Sequence, residues 1–162
     1  MRSSHVLLFG LAILMPSMCR AQSKCPWINE ATAQGILGGA VTMKTNIKTN
    51  REGACEFLRR QGSVVYGLHI SVHIMADITK QFPAYIAQCG PKPTPLPTIG
   101  NQAVRCNIQR KGQYTESVVG RVRDQAFIVS VSSSVQNDPL MTQETRREKV
   151  NLLAEQVAGI LF

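Results

Sequence analysis

Three groups of side chains in this sequence have the types that chemistry requires. His69 and His73 lie four residues apart, and on a helix they would stack on one face as a zinc-binding pair does. Cys25, Cys55, Cys89 and Cys106 could serve as thiolate nucleophiles, metal ligands or disulfides. Glu56, Asp77 and Glu116 are carboxylates that could meet in space as the paired acids of a glycoside hydrolase. Serines are many, but no G-x-S-x-G elbow presents one as a nucleophile. Gly38-Gly39 is not a phosphate loop: no Gly-Lys-Ser/Thr follows, and the pair closes a helix instead of opening one.

What these residues can do depends on the elements that carry them. Tyr66, Leu68, Ile70, Val72 and Ile74 alternate with Gly67, His69, Ser71 and His73, the period-2 pattern of a half-buried strand. Four residues along a strand separate the two histidines by roughly 13 Å, too far to share a metal. No glutamate sits between them as the helical metalloprotease motif requires. They read as two polar positions on the outer face of a sheet, with a pH-sensitive or binding face as their functional alternative. No catalytic, cofactor-binding or metal-binding residue is therefore assigned.

The cysteines take their meaning from the compartment. Arg2 supplies a positive start, residues 6–15 form an apolar run too short to span a bilayer, and Pro16 breaks it. Cys19-Arg20-Ala21 puts small residues where a signal peptidase reads, so a signal peptide over residues 1–21 is expected, cleaved after Ala21. The alternative is a lipoprotein leader acylated at Cys19, against which Met18 stands where a small residue belongs. The chain is expected to be secreted or periplasmic, with residues 22–162 as one domain and no transmembrane segment. In an oxidising compartment four mature cysteines imply two disulfides, for which sequence allows three connectivities. Cys25 and Cys55 flank the first helix and strand, and Cys89 and Cys106 flank a proline-rich loop, which favours sequential pairing. No C-x-x-C spacing supports zinc instead.

Without Arg2 and Arg20 the chain keeps 16 basic and 10 acidic residues, a net charge of +6. The basic residues are scattered singly or in pairs. Those near the later strands (Arg105, Arg110, Lys111, Arg121 and Arg123) lack interleaved exposed aromatics, so they form no nucleic-acid platform.

In order along the chain, Asn29 caps a helix over residues 30–37, and residues 40–45 read as a strand followed by a polar loop at 46–52. A hairpin follows, with Cys55 and Phe57 facing one way in its first strand, a turn at Gln61-Gly62-Ser63, and the alternating strand above. Residues 77–88 look helical around Pro83, and Pro91, Pro93, Pro95 and Pro97 make a stiff loop. Strands are expected at 104–109, 114–122 and 126–133, with Phe127, Val129 and Val131 inward. The last helix, from about Thr142 to Leu161, carries a stripe of Val150, Leu153, Val157 and Ile160. The expected fold is α+β: a mainly antiparallel sheet of about six strands in α-βββ-α-βββ-α order, with helices gathered on one side and two disulfides.

Several short motifs resemble a group of small exported bacterial domains of unknown function. Its members include actinobacterial cell-envelope lipoproteins and the related extracellular sensor domain of a mycobacterial serine/threonine kinase. The motifs are Cys25-Pro26-Trp27-Ile28 with Thr32-Ala33 and Ile36-Leu37-Gly38, and Gly53-Ala54-Cys55-Glu56-Phe57 before an alternating strand. Ile99-Gly100-Asn101-Gln102-Ala103 is similar to that group's Leu/Ile-Gly-Asp-Glu-Ala turn, and Phe127–Val131 and Leu153–Val157 complete the likeness. The chain departs from it in lacking a convincing lipobox and in adding Cys89 and Cys106. The resemblance implies an envelope-associated binding or sensor-like domain and carries over no catalytic residue.

The leading expectation is a non-catalytic exported domain that binds a small ligand or an envelope protein, between the sheet's open face and a helix. The alternatives are a small secreted hydrolase with an unrecognised site, and a structural or inhibitor-like protein that uses the Pro91–Pro97 loop.

Overall fold

The computed structural model describes residues 24–162. The expected signal peptide over residues 1–21, and the acylation alternative at Cys19, lie outside the described residues. Alternating apolar and polar residues dominate the rest, and the chain answers with one seven-stranded sheet and three helices. The elements are α1 (Glu30–Leu37), β1 (Thr42–Thr49), β2 (Glu52–Gln61), β3 (Val64–Ile74), α2 (Ile78–Ala87), β4 (Thr94–Pro95), β5 (Gln102–Arg110), β6 (Gln113–Val122), β7 (Gln125–Ser133) and α3 (Gln143–Leu161). Every pairing is antiparallel, in the spatial order β1-β2-β3-β7-β6-β5-β4. Two meanders thus meet at the β3–β7 seam, with the two longest-range strands at the centre of the sheet.

The α+β class with an antiparallel sheet and two disulfides stands, but three finer expectations need correction. Among the described residues there are seven strands in α-βββ-α-ββββ-α order, not six. The added one is the pair Thr94–Pro95, which lies against Arg105 and Val104 on β5, while the Leu96 N–H donates to the Ala103 carbonyl at 2.9 Å. Proline fits this position because an edge strand can leave one side unpaired. The first strand is also longer than residues 40–45. It runs through the stretch expected to be a loop, since Met43, Thr45 and Ile47 are half-buried while Thr42, Lys44 and Asn46 face solvent, and only residues 50–51 turn.

Nor do the helices share one side of the sheet, contrary to expectation. α1 and α3 cover the face that presents Cys55, Phe57, Tyr66, Leu68, Ile70, Val118, Val122, Phe127, Val129 and Val131. α2 lies on the opposite face, where Phe82 packs with Val104, Cys106, Val119 and Ala126. Parity is the cause: Cys106 pairs with Ser117 and Val104 with Val119, so all of these point away from the Val118–Val129 row.

Local signals explain the helix ends. Asn29 Oδ1 accepts the Thr32 N–H at 2.8 Å, and Gly38 closes α1 with φ 79°, a left-handed conformation that suits glycine. Two cations finish that C-terminus: Arg59 donates to the Leu37 carbonyl at 2.7 Å, and Lys149 of α3 donates to the Ile36 carbonyl. Asp77 caps α2, which is one continuous helix despite Pro83, an exposed position. In α3, Val150, Leu153 and Val157 are buried as expected, but Ile160 is half exposed and Leu161 takes its place. At about 100° per residue, position 161 returns to within about 20° of position 150, whereas 160 lands about 80° away.

The disulfides join Cys25 to Cys55 and Cys89 to Cys106. Trp27 is buried in the main core beside the first of them. Among the described residues no helix is long and apolar enough to cross a membrane. Two disulfides and that absence are compatible with an extracellular location.

Candidate functional site

The carboxylates that could have met do not. Glu56 stands on the outer face of β2, Asp77 caps α2 through the Lys80 N–H and the Thr79 hydroxyl, and Glu116 is buried on the inner face of β6. Asp77 titrates below the usual range because the Thr79 hydroxyl and then the Lys80 N–H hold its charged form. The histidines do lie on the outer face, on successive outward positions but one, and belong to different surroundings. His73 stacks on Tyr85 of α2 with ring centroids 5.5 Å apart, while His69 lies beyond the helix. Among the described residues no three metal-ligating side chains are gathered.

Because α2 covers the β5–β7 half of the outer face and reaches β3 only at His73, the rest is an open polar surface. Register places Lys44, Glu56, His69, Ser130, Ser117 and Cys106 in one transverse row over six strands. Ser117 and Ser130 share a hydroxyl hydrogen bond of 2.8 Å. Desolvation lowers the pKa of His69, a residue that is nonetheless exposed on this face, with Glu56 opposing and His73 reinforcing the shift. A shallow cavity of about 210 Å³ lies over Glu56, His69, Gln113, Thr115 and Ser130.

A second constellation lies on the covered face, where the core turns polar. Along β6 the inward positions run Val122, Gly120, Val118, then Glu116 and Tyr114; along β7 they run Phe127, Val129, Val131, then Ser133. At this end the loop after β7 brings in Asp138, and the first turn of α3 brings in Arg146. All three ionisable groups are buried: Glu116 is 1%, Arg146 2% and Asp138 3% exposed. Each has local partners. Glu116 Oε1 accepts from Asn107 Nδ2 at 2.8 Å and Gln143 Nε2 at 3.2 Å. Asp138 accepts the Leu140 N–H at 2.8 Å, the Met141 N–H at 3.2 Å and the Ser133 hydroxyl at 3.3 Å. Burial pushes the Asp138 pKa up, but the hydrogen bonds from Tyr66, Leu140, Met141 and Ser133 outweigh it and leave the carboxyl below its ordinary value. The same contact raises the Tyr66 phenol, where burial acts first and the Asp138 bond and charge add to it.

Arg146 is the least settled member. One guanidinium nitrogen donates to the Met141 carbonyl, but Nε is buried with no partner. Neither Glu116 nor Asp138 forms a direct ion pair with it, although both charges oppose the lowering of its pKa by burial. Leaving such a donor unpaired costs on the order of 1–3 kcal/mol. Beside it opens a cavity of about 230 Å³ between the β5–β6 hairpin, the loop after β7 and the start of α3. Sequence reasoning named Glu116 for another chemistry and missed Arg146 and Asp138. A signal was present: Glu116 shares its inward parity with Val118, and Arg146 falls one turn before Val150 on the buried stripe of α3.

Comparison with protein-family models, with curated proteins and with solved structures finds no match.

Proposed function

We propose that this chain is an exported, non-catalytic binding domain whose ligand enters the cavity at the foot of α3. The observation that carries this reading is a cavity of about 230 Å³ walled by the carboxamides of Asn107, Gln109, Gln136, Asn137 and Gln143 next to the buried Arg146. A concave site with several convergent polar groups is where small ligands bind. The resemblance of Cys25-Pro26-Trp27-Ile28 and its companion motifs to exported envelope domains supports the same class. The proline run is a weaker basis for an inhibitor-like role, since Thr94–Pro95 is already laid along β5.

Native mass spectrometry of protein purified from its own host is the test. A copurified small molecule, lost when the exposed rim residues Gln109 and Gln136 are both replaced by alanine, is the expected result. A ligand retained unchanged in that variant, or a bare monomer that captures one envelope protein, overturns the assignment of this cavity.

One observation favours a second reading, a hydrolase. Glu56, His69 and Ser130 occupy adjacent strands in one row, the residue types of an acid–base–nucleophile set. Ser130, however, is engaged by Ser117, and no hydrogen bond joins it to His69. Esterase, protease and glycosidase screens decide it: turnover abolished by His69→Ala and by Ser130→Ala would establish catalysis.

A further inference from the structure

We infer that the cavity at the foot of α3 takes a neutral, polyhydroxylated ligand the size of one sugar ring. This rests on the cavity being the binding site and narrows that reading to a ligand class. Charge removes the other classes. The site holds one cation, Arg146, against two carboxylates, Glu116 and Asp138. A phosphate or carboxylate would bring a third negative charge beside a single positive one. A cation would face the Arg146 guanidinium, and both carboxylates already accept hydrogen bonds from local donors. An apolar ligand would strand the polar wall without partners.

What the wall offers instead is carboxamide: Asn107, Gln109, Gln136, Asn137 and Gln143 all line the cavity. A carboxamide both donates and accepts, as does a sugar hydroxyl, so the two pair in either direction without bringing net charge. Two of these amides are held in orientation. Glu116 takes the N–H groups of Asn107 and Gln143, which leaves their carbonyl oxygens as acceptors for ligand hydroxyls. Arg146 also lines the cavity and is the one cation among its lining residues. Half-buried Tyr114, also in the wall, gives an aromatic surface for the C–H side of a sugar ring. The volume of about 230 Å³ suits one ring and is too small for a chain wholly enclosed.

The test is saturation-transfer NMR and calorimetry on the secreted protein with separate hexoses and N-acetylhexosamines. Inorganic phosphate, glutamate and lysine serve as charged probes. Saturable binding of at least one sugar is expected, with none of the charged probes. Gln109→Ala/Gln136→Ala, which alters only exposed rim residues, should weaken it about fivefold or more through the lost hydrogen bonds. Arg146→Lys should weaken it further if the variant folds, and the rim variant decides the matter if it does not. Failure of every sugar to bind, or binding of a charged probe in the cavity, overturns the inference. A copurified ligand that is lost in the rim variant but carries no hydroxyl array overturns the ligand class and leaves the cavity reading standing. Sugar binding unchanged by the rim variant overturns both.

Discussion

The two halves of this domain are built from the same parts and finish differently. Each has a helix, a run of consecutive antiparallel strands and one disulfide that ties the helix-bearing segment to the sheet. In the first half Cys55 shares parity with Phe57, pairs with Ile70, and pulls the Cys25 arm and α1 onto the main core. In the second half Cys106 shares parity with Val104 and draws Cys89 and the end of α2 to the opposite face. α3 then covers the inner face that α2 leaves empty. Two consequences follow from one choice of parity. The outer face over β1, β2 and the start of β3 has no helix and shows Glu56 and His69 to solvent. The inner face beneath the start of α3 closes over a polar end with a cavity. Each disulfide thus ties its helix-bearing segment to the side of the sheet that its strand cysteine faces.

Removing each disulfide in turn should separate the two halves most strongly. By loop length alone, spans of 30 and 17 residues are worth between about 3 and 4 kcal/mol each, the first slightly more. Cys25→Ala/Cys55→Ala should therefore lower the urea midpoint of the whole domain the further. Cys89→Ala/Cys106→Ala should in addition lose amide protection in α2 while the α1–α3 face keeps it, measured by hydrogen exchange. Equal loss of protection in all three helices would refute the division.

Next comes the shared core. A Cβ on Gly120 would sit 2.3 Å from the Phe127 ring, its cross-strand partner, so Gly120→Ala must displace a packed aromatic. Overpacking of this kind costs about 1–3 kcal/mol, read as a shift in unfolding midpoint without a change in slope. A smaller effect tests how the first half holds its helix. Arg59 lies over the Tyr66 ring at 5.1 Å while capping Leu37, and Arg59→Ala should cost about 1–2 kcal/mol, with faster amide exchange in α1.

The smallest effect sharpens the open face. The pKa of His69 is depressed from the ordinary 6.5, so the folded chain resists a proton that the unfolded chain accepts. Its stabilising contribution is complete above 6.5 and fades as pH falls from there through the lower folded value. His69→Gln should flatten that part of the stability-versus-pH curve, checked by urea unfolding at a series of pH values. An unchanged slope would place His69 in full solvent.

Much of the fold was legible because it rests on local periodicity. The α1 and α3 boundaries, the β3 alternation and the inward set Phe127, Val129 and Val131 follow from period and capping residues alone. The polar stretch from Asn46 to Thr49 was opaque for a physical reason: an edge strand with solvent on one face needs few apolar residues. β4 was opaque because a two-residue strand exists only through its partner. The candidate site was legible in fragments. Glu116 drew attention as a carboxylate, but its meeting with Arg146 and Asp138 spans three elements and leaves no spacing to read.

By itself, the sequence determined which residues alternate, which cap, and that the polar side of β3 carries His69 and His73. Those are properties of neighbours within a few residues, where sterics and hydrogen bonding act along the chain. Only the tertiary structure decided which face each helix covers and where buried charge collects. Parity within a strand is readable, but which parity becomes the core depends on what packs against it. The Arg146 guanidinium and its cavity are products of that decision, made by a helix and a sheet that approach from distant parts of the chain.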